Sequence, residues 1–379
     1  MDPLSLARAV KDRAQEPFRH LAATARTVAD PRLPLLVALN RTLFTPLYRA
    51  SFLAAAAGSG VLRCMATRPC DLESIAEHLG TGPEERRRLR AWLDIGVRLG
   101  ELDLREGCYR LRSRTAKALA REGNDAVAAA LEELLRFHVP ALRDAPRMLQ
   151  GGGRFGLGDQ DGLVVARSSL VVRGLVEAAV RRALPRTAPV RLLEVGCGSG
   201  AHVRYAARLN PRLTALAIDL QAEVAARAAK NMAQWGLADR VEIRRGDLRT
   251  LDLQPQFDVV TMHNNIYYFP QDERAEVLAR ARSLLAPGGT LLLTSSCRGS
   301  GTLGIEVLNL WFEYARFGGP LPREDELLDQ LRAAGFDDVR ASRVLPGQAF
   351  RAFTGSNAAT GPARALPARS TVTAEGAAS

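Results

Sequence analysis

From Leu192 to Gly200 the chain reads Leu-Leu-Glu-Val-Gly-Cys-Gly-Ser-Gly, and no other stretch restricts the fold so tightly. An apolar run ends on an acid, Glu194. Gly196, Gly198 and Gly200 then stand at alternate positions and lead into 201–207, which reads as a helix. A buried strand, a loop with no Cβ to block close approach and a helix N-terminus with free N–H groups together make a bed for a nucleotide-like ligand. Glu194 at the strand end can accept hydrogen bonds from that ligand's polar or cationic groups. The dinucleotide spacing G-x-G-x-x-G is absent, which sets a nicotinamide cofactor aside.

Downstream of Val190 the pattern alternates strand and helix, the mark of a parallel sheet with crossovers. Strands are expected over 191–195, 213–218, 240–244, 257–262 and 289–294, followed by an antiparallel edge pair over 339–344 and 349–353. The intervening helices are expected over 203–209, 221–235, 271–285, 302–317 and 324–334. Ligands of such sheets lie at the carboxyl ends of the strands. Those ends carry Asp219, about twenty residues past the loop and able to accept from both ribose hydroxyls. They also carry Leu220, and Asp247 with Leu248 beside it. A helix N-cap is the structural alternative for Asp219.

Upstream the chain is helical. Helices are expected over 1–30 and 41–57, then over 71–80 with an Asp N-cap and a Gly stop, and over 84–99. Short strands around Glu106-Gly107 follow as a hairpin, so the segment reads as a winged helix. Arg86, Arg87, Arg88 and Arg90 on its second helix allow a DNA-binding interpretation. A helix over 126–150, a glycine-rich loop at 151–158 expected to be mobile, and a long helix over 164–184 lead into a linker at 185–189. The domains are therefore placed at 1–185 (helical, winged helix), 186–353 (sheet) and 354–379 (a tail without periodicity).

Composition bears on partners. The net charge of +11 is carried by arginines spread along the chain and interleaved with acids, so it describes a solvated surface, and a nucleic-acid partner is not expected. Five cysteines without C-x-x-C spacing suit a reducing compartment and exclude a zinc cluster. Neither a leader pattern nor an apolar run long enough to span a bilayer is present in the sequence, so a cytoplasmic location without membrane contact is expected.

The phrase E-x-G-x-G-x-G, with Asp219 and Asp247 at the next two strand ends, resembles class I S-adenosylmethionine (SAM)-dependent methyltransferases. The winged helix and the phrase "LRAWLDIGVRLGELD…GCYRLRSRT" are similar to the small-molecule O-methyltransferase family. The resemblance implies a Rossmann-like seven-stranded methyltransferase sheet preceded by a mainly α-helical winged-helix domain, which serves homodimerisation and caps the site. It implies SAM as cofactor, with Glu194, Gly196, Gly198, Gly200, Asp219, Leu220, Asp247, Leu248 and His263 as its contacts, Asp219 on the ribose and Asp247 on the adenine.

In that family a Leu-His-Asp-Trp phrase follows the fourth strand, and its histidine deprotonates the acceptor hydroxyl. Laid on without gaps, the histidine falls on Tyr267, the aspartate on Tyr268 and the tryptophan on Phe269, so the family's base is missing. Tyr267, His263 and Asn264 are the candidate catalytic residues, Tyr267 as acceptor-holding group or, with a lowered pKa, as base. Asn265, Leu308, Trp311 and Phe312 are the candidate acceptor contacts, suited to a largely apolar or aromatic small molecule. O-methylation is favoured, with N- or C-methylation, a SAM-using fold without methyl transfer, and a winged-helix regulator as alternatives.

Overall fold

The computed structural model describes residues 30–299, 302–344 and 349–358. The helix expected over 1–30 and the tail beyond residue 358 lie outside them. The chain divides into two compact units, Met1–Asn124 and Asp125–Ser379.

In the first unit, helices Arg32–Leu39 and Thr45–Gly58 precede a small antiparallel sheet of order β1-β3-β2, with β1 Cys70–Asp71, β2 Leu102–Arg105 and β3 Cys108–Leu111. The helix Leu72–Leu79 starts where the Asp71 carboxylate accepts the Ser74 N–H at 2.8 Å and stops at left-handed Gly80. The helix Arg86–Arg98 turns Leu89, Leu93 and Gly96 inward. Phe52 lies over Gly96 and beside Trp92, ring centroids 5.1 Å apart. The fully buried Glu101 carboxylate is held by Arg49 and Ser113, the pairing that a buried charge requires. Arg86 pairs with Glu73 and Arg88 with Glu85, so two of the helix's arginines are spent on local acids.

The second unit is built on a seven-stranded sheet of order β6-β5-β4-β7-β8-β10-β9. Its strands are β4 Val190–Val195, β5 Leu213–Asp219, β6 Val241–Arg245, β7 Phe257–His263, β8 Leu285–Ser296, β9 Asp337–Arg343 and β10 Phe350–Ser356. Strands β6 to β8 are parallel through β4, and β10 runs antiparallel between β8 and β9. Both faces are covered, which is why these strands read as continuous apolar runs. Leu193, Val195, Val260 and Met262 face one core with Val277, Leu278 and Leu327. Leu192, Ala215 and Val259 face the other, with Val176, Val180, Val203 and Met232.

Contacts divide the chain at Asn124/Asp125, whereas the sequence placed the boundary at 185/186. The helices between those points bury their apolar side chains on the sheet. Phe137, Ala141 and Val164 enter one core, and Val176, Ala179 and Val180 the other. Arg167 also joins Asp125 at 2.8 Å and Glu132 at 3.5 Å within this layer. Strand β10 runs to Ser356, three residues into the expected tail, because it pairs with both β8 and β9.

Two helices expected to be continuous are broken. The segment 164–184 is a helix Gly162–Ser168, a tightened turn Ser169–Val172 and a helix Arg173–Ala183. Ser168 and Ser169 donate back to the Val165 and Ala166 carbonyls at 3.1 and 3.3 Å, a competition that bends helices. The segment 126–150 is a helix Asp125–Glu133, a wide π-turn Leu134–His138 and a helix Val139–Leu149. Pro140 supplies no N–H to the preceding turn, and the Val139 N–H bonds Leu134 instead, five residues back.

A Cβ built on Gly96 would sit 2.2 Å from Phe52 Cζ. Gly96→Ala is therefore expected to destabilise the first unit by about 1–3 kcal/mol. Chemical denaturation followed by fluorescence reads this as a lower midpoint, and an unchanged midpoint would show that the ring yields freely.

Candidate active site

Strands β4 and β7 are neighbours, and their crossovers leave in opposite directions, β4 toward β5 and β7 toward β8. That is the switch point where a ligand crevice opens. A cavity of about 670 Å³ lies there, within the usual range for small-molecule sites.

Its cofactor end is built from the glycine loop and the ends of β5 and β6. Gly196, Gly198 and Gly200 all have positive φ. Asp219 closes β5 and takes N–H bonds from Gly198 at 3.0 Å and Gln221 at 3.1 Å. Its carboxylate thus ties the loop to the following helix, and the capping alternative and a ligand-facing position coexist. Burial pushes it above the usual carboxylate range against these donors. Leu220 and Leu248 line the same end. Asp247 is gripped by Arg249 at 2.7 Å, and Arg249 also reaches Glu273 at 3.0 Å. Burial pushes the Asp247 carboxyl up, but the Arg249 hydrogen bonds outweigh it and hold the group low and ionised.

The acceptor end is ringed by Tyr267, Tyr268, Phe312 and Phe317, with Leu308 and Ile305 beside them. Phe312 meets Tyr267 edge to face at 4.7 Å. The Tyr268 hydroxyl donates to Gln160 at 3.0 Å. Burial drives the Tyr267 phenol well above its ordinary value, with Tyr268 and Glu133 adding to it. Tyr267 therefore offers a proton at neutral pH instead of taking one, which removes the basis for a tyrosine base.

Asn264 and Asn265 join the two ends. Asn264 adopts a left-handed φ of 52° that few other side chains tolerate. Its Oδ1 accepts from the Ser296 N–H at 2.9 Å, which locks β7 to β8. Asn265 Nδ2 donates to the Val195 carbonyl, and its buried Oδ1 is without a partner among the described residues.

Gly196, Gly198, Asp219, Leu220, Asp247, Leu248, His263, Asn264, Asn265, Tyr267, Leu308 and Phe312 are thus brought together around one cavity. Three expected contacts lie elsewhere. Trp311 is 1 % exposed and stacks on Phe155 at 5.5 Å, so it supports the ring cluster from behind. Gly200 serves packing, since a Cβ there would meet Met232 Cε at 2.4 Å. Glu194 shares the strand face of Leu192 and points to the opposite side of the sheet. It lines a second, small cavity with His202, Thr261 and His263. Its Oε1 has no partner, nor does His202 Nδ1. His263 borders both cavities, bonds Thr294 Oγ1 through Nδ1 at 2.9 Å and lies edge-on to His202 at 5.2 Å. Burial, and then His202, hold its pKa well below the ordinary histidine value, so it is a neutral ring.

Glu133, His138, Gln160 and Ser168 also border the large cavity. Sequence reasoning missed them, because a continuous helix over 126–150 gives no reason for Glu133 and His138 to meet.

The cofactor end suits S-adenosylmethionine on its own geometry. Open backbone at Gly196 and Gly198, an acid with spare lone pairs at the ribose position, a second at the adenine position and two leucines between them are the required set. Residues 193–291 match the family model described as "Methyltransferase domain", and the chain is a class I SAM-dependent methyltransferase. Over its length it resembles small-molecule O-methyltransferases. It is 26% identical over 326 residues to the 3-hydroxy-5-methyl-1-naphthoate 3-O-methyltransferase of Streptomyces sahachiroi, covering 80% of this chain and 91% of the relative. It is 29% identical over 300 residues to the tetracenomycin polyketide synthesis 8-O-methyl transferase of Streptomyces glaucescens, covering 74% and 85%. The human N-acetylserotonin methyltransferase in complex with SAM shares the fold, with a TM-score of 0.62 at 17% identity over 87% of this chain and 99% of that one.

Burial, with the Asp219 charge adding, pushes Glu194 up to about 8 from an ordinary 4.5. The folded state then holds a proton that the unfolded state has released, so this contribution to stability is full below pH 4.5 and lost as pH rises to about 8. Burial depresses His202 to about 4 from 6.5, so its contribution has the opposite sign and is lost as pH falls through that window. Glu194→Gln is expected to raise Tm relative to wild type by an amount that grows from pH 5 to pH 8. A gap independent of pH would contradict a buried, protonated Glu194.

Proposed function

We propose that this methyltransferase methylates a hydroxyl oxygen of a small aromatic molecule, a fused-ring phenol above all. The observation that carries this is a single cavity whose one end is the Asp219–glycine-loop cradle and whose other end is a ring-lined pocket. When bound, SAM supplies a methyl group on a sulfonium sulfur. In-line transfer needs orientation above all. Asp219 holds the ribose hydroxyls, Asp247 the adenine amine, and Leu220 and Leu248 the faces of the base. Asn265 Oδ1 and the neutral His263 meet the amino-acid portion. Tyr267 donates a hydrogen bond to the acceptor, with Leu308 and Phe312 against its ring. The two relatives act, by their names, on a hydroxynaphthoate and on a tetracenomycin polyketide, which supports a polycyclic acceptor.

The test is calorimetric SAM binding followed by transfer of a labelled methyl group to 3-hydroxy-1-naphthoate, larger fused-ring phenols, carboxylic acids and carbon acids. Transfer to a phenol is expected. SAM binding with transfer to none of them would defeat the proposal, and transfer to carbon acids alone would redirect it to C-methylation.

The first unit, read as a winged helix, is assigned to homodimerisation. Leu35, Leu36, Leu43 and Tyr48 expose about half or more of their surface on helices that would otherwise offer an apolar face to water. A second copy is the occupant, and the free thiols of all five cysteines suit a cytoplasmic setting. Light scattering is expected to give a dimer for wild type and a monomer for Leu36→Asp/Leu43→Asp. A wild-type monomer at micromolar concentration would refute the assignment.

A further inference from the structure

The acceptor end contains an acid–base pair that stands in for the missing histidine. Glu133 and His138 both border the cavity. In an ordinary helix, residues five apart point about 140° away from each other. The π-turn Leu134–His138, closed by the Val139 N–H on the Leu134 carbonyl, removes that offset and places both on one face. His138 Nε2 lies 3.8 Å from Glu133 Oε1 and is buried without a hydrogen bond. Wide turns of this kind inside helices are often found at functional sites.

The other titratable groups around the cavity are committed. Asp219 and Asp247 serve the cofactor end, Tyr267 keeps its proton, and His263 is tied to Thr294. The groups facing the pair are Ser168, which hydrogen-bonds the Glu133 carboxyl, and Tyr267 and Tyr268, whose phenols feel its charge. Burial pushes Glu133 up and His138 down, so the imidazole is neutral and free to accept a proton at neutral pH.

We propose that His138 is the general base for the acceptor hydroxyl and that Glu133 is the counter-charge that steadies the imidazolium. With Nε2 turned to Glu133, Nδ1 is the nitrogen left to meet the acceptor. The acceptor O–H bond breaks and its proton passes to Nδ1. The oxygen's electron pair forms the new O–CH₃ bond while the pair of the broken S–CH₃ bond stays on sulfur, and the imidazolium then releases its proton to water.

This rests on the hydroxyl-methylating proposal above. The experiment compares wild type, His138→Gln and Glu133→Gln for kcat on 3-hydroxy-1-naphthoate between pH 5 and 9, with S-adenosylhomocysteine affinity as the check on folding. His138→Gln is expected to lower kcat by about 10²–10³-fold with unchanged cofactor affinity and to abolish the acidic limb of the pH profile. Glu133→Gln is expected to shift that limb to lower pH. Retention of kcat within threefold in His138→Gln overturns the assignment. Histidine-labelled protein gives an independent readout by NMR titration, in which the His138 midpoint must fall in Glu133→Gln. Lack of turnover by wild type would count against O-methylation of this acceptor, whereas an unmoved His138 midpoint would overturn the pair whatever the acceptor.

Discussion

The Asp219 carboxylate is the interaction on which the site depends. Its two oxygens take one N–H from the glycine loop and one from the start of the next helix, so the loop after β4 and the turn after β5 are held as one piece. Desolvation works against this arrangement, and the backbone donors hold it in place. A cofactor approaching the cradle meets a preformed surface with lone pairs still free on the same carboxylate. Rigidity here is what allows chemistry at the far end to be set by geometry alone.

Most of the cofactor end was legible in the sequence because its determinants are local. A strand ending on Asp219, another ending on Asp247 and glycines at alternate positions each leave a mark within a few residues. The parallel sheet was legible for a related reason, since strands covered on both faces are apolar throughout. The side of the sheet on which Glu194 points was not inferred. It follows from strand parity, and parity places Glu194 with Leu192, beneath the helices that carry Val180 and His202.

The acceptor end was less legible because it is assembled from segments far apart in the chain. Trp311 and Phe312 are neighbours of the same type, yet one is packed behind the other and only Phe312 borders the cavity. The unit boundary moved for the same reason. The helices before β4 carry the apolar pattern of any helix, and nothing local says that their partner is the sheet. Tyr267 shows the limit of reading chemistry from residue type, because its burial decides which way its proton goes.

The wide turn at Leu134–His138 makes the acceptor end sensitive to chain length in a way the cofactor end is not. An ordinary helix rotates by about 100° per residue. Removing one residue from this turn would restore regular winding and swing Val139–Leu149 around relative to Asp125–Glu133, while the ends of β4, β5 and β6 stayed where they are. A single insertion or deletion, more than any substitution, is therefore the smallest change by which a chain of this architecture re-aims one half of its pocket and leaves the other half untouched.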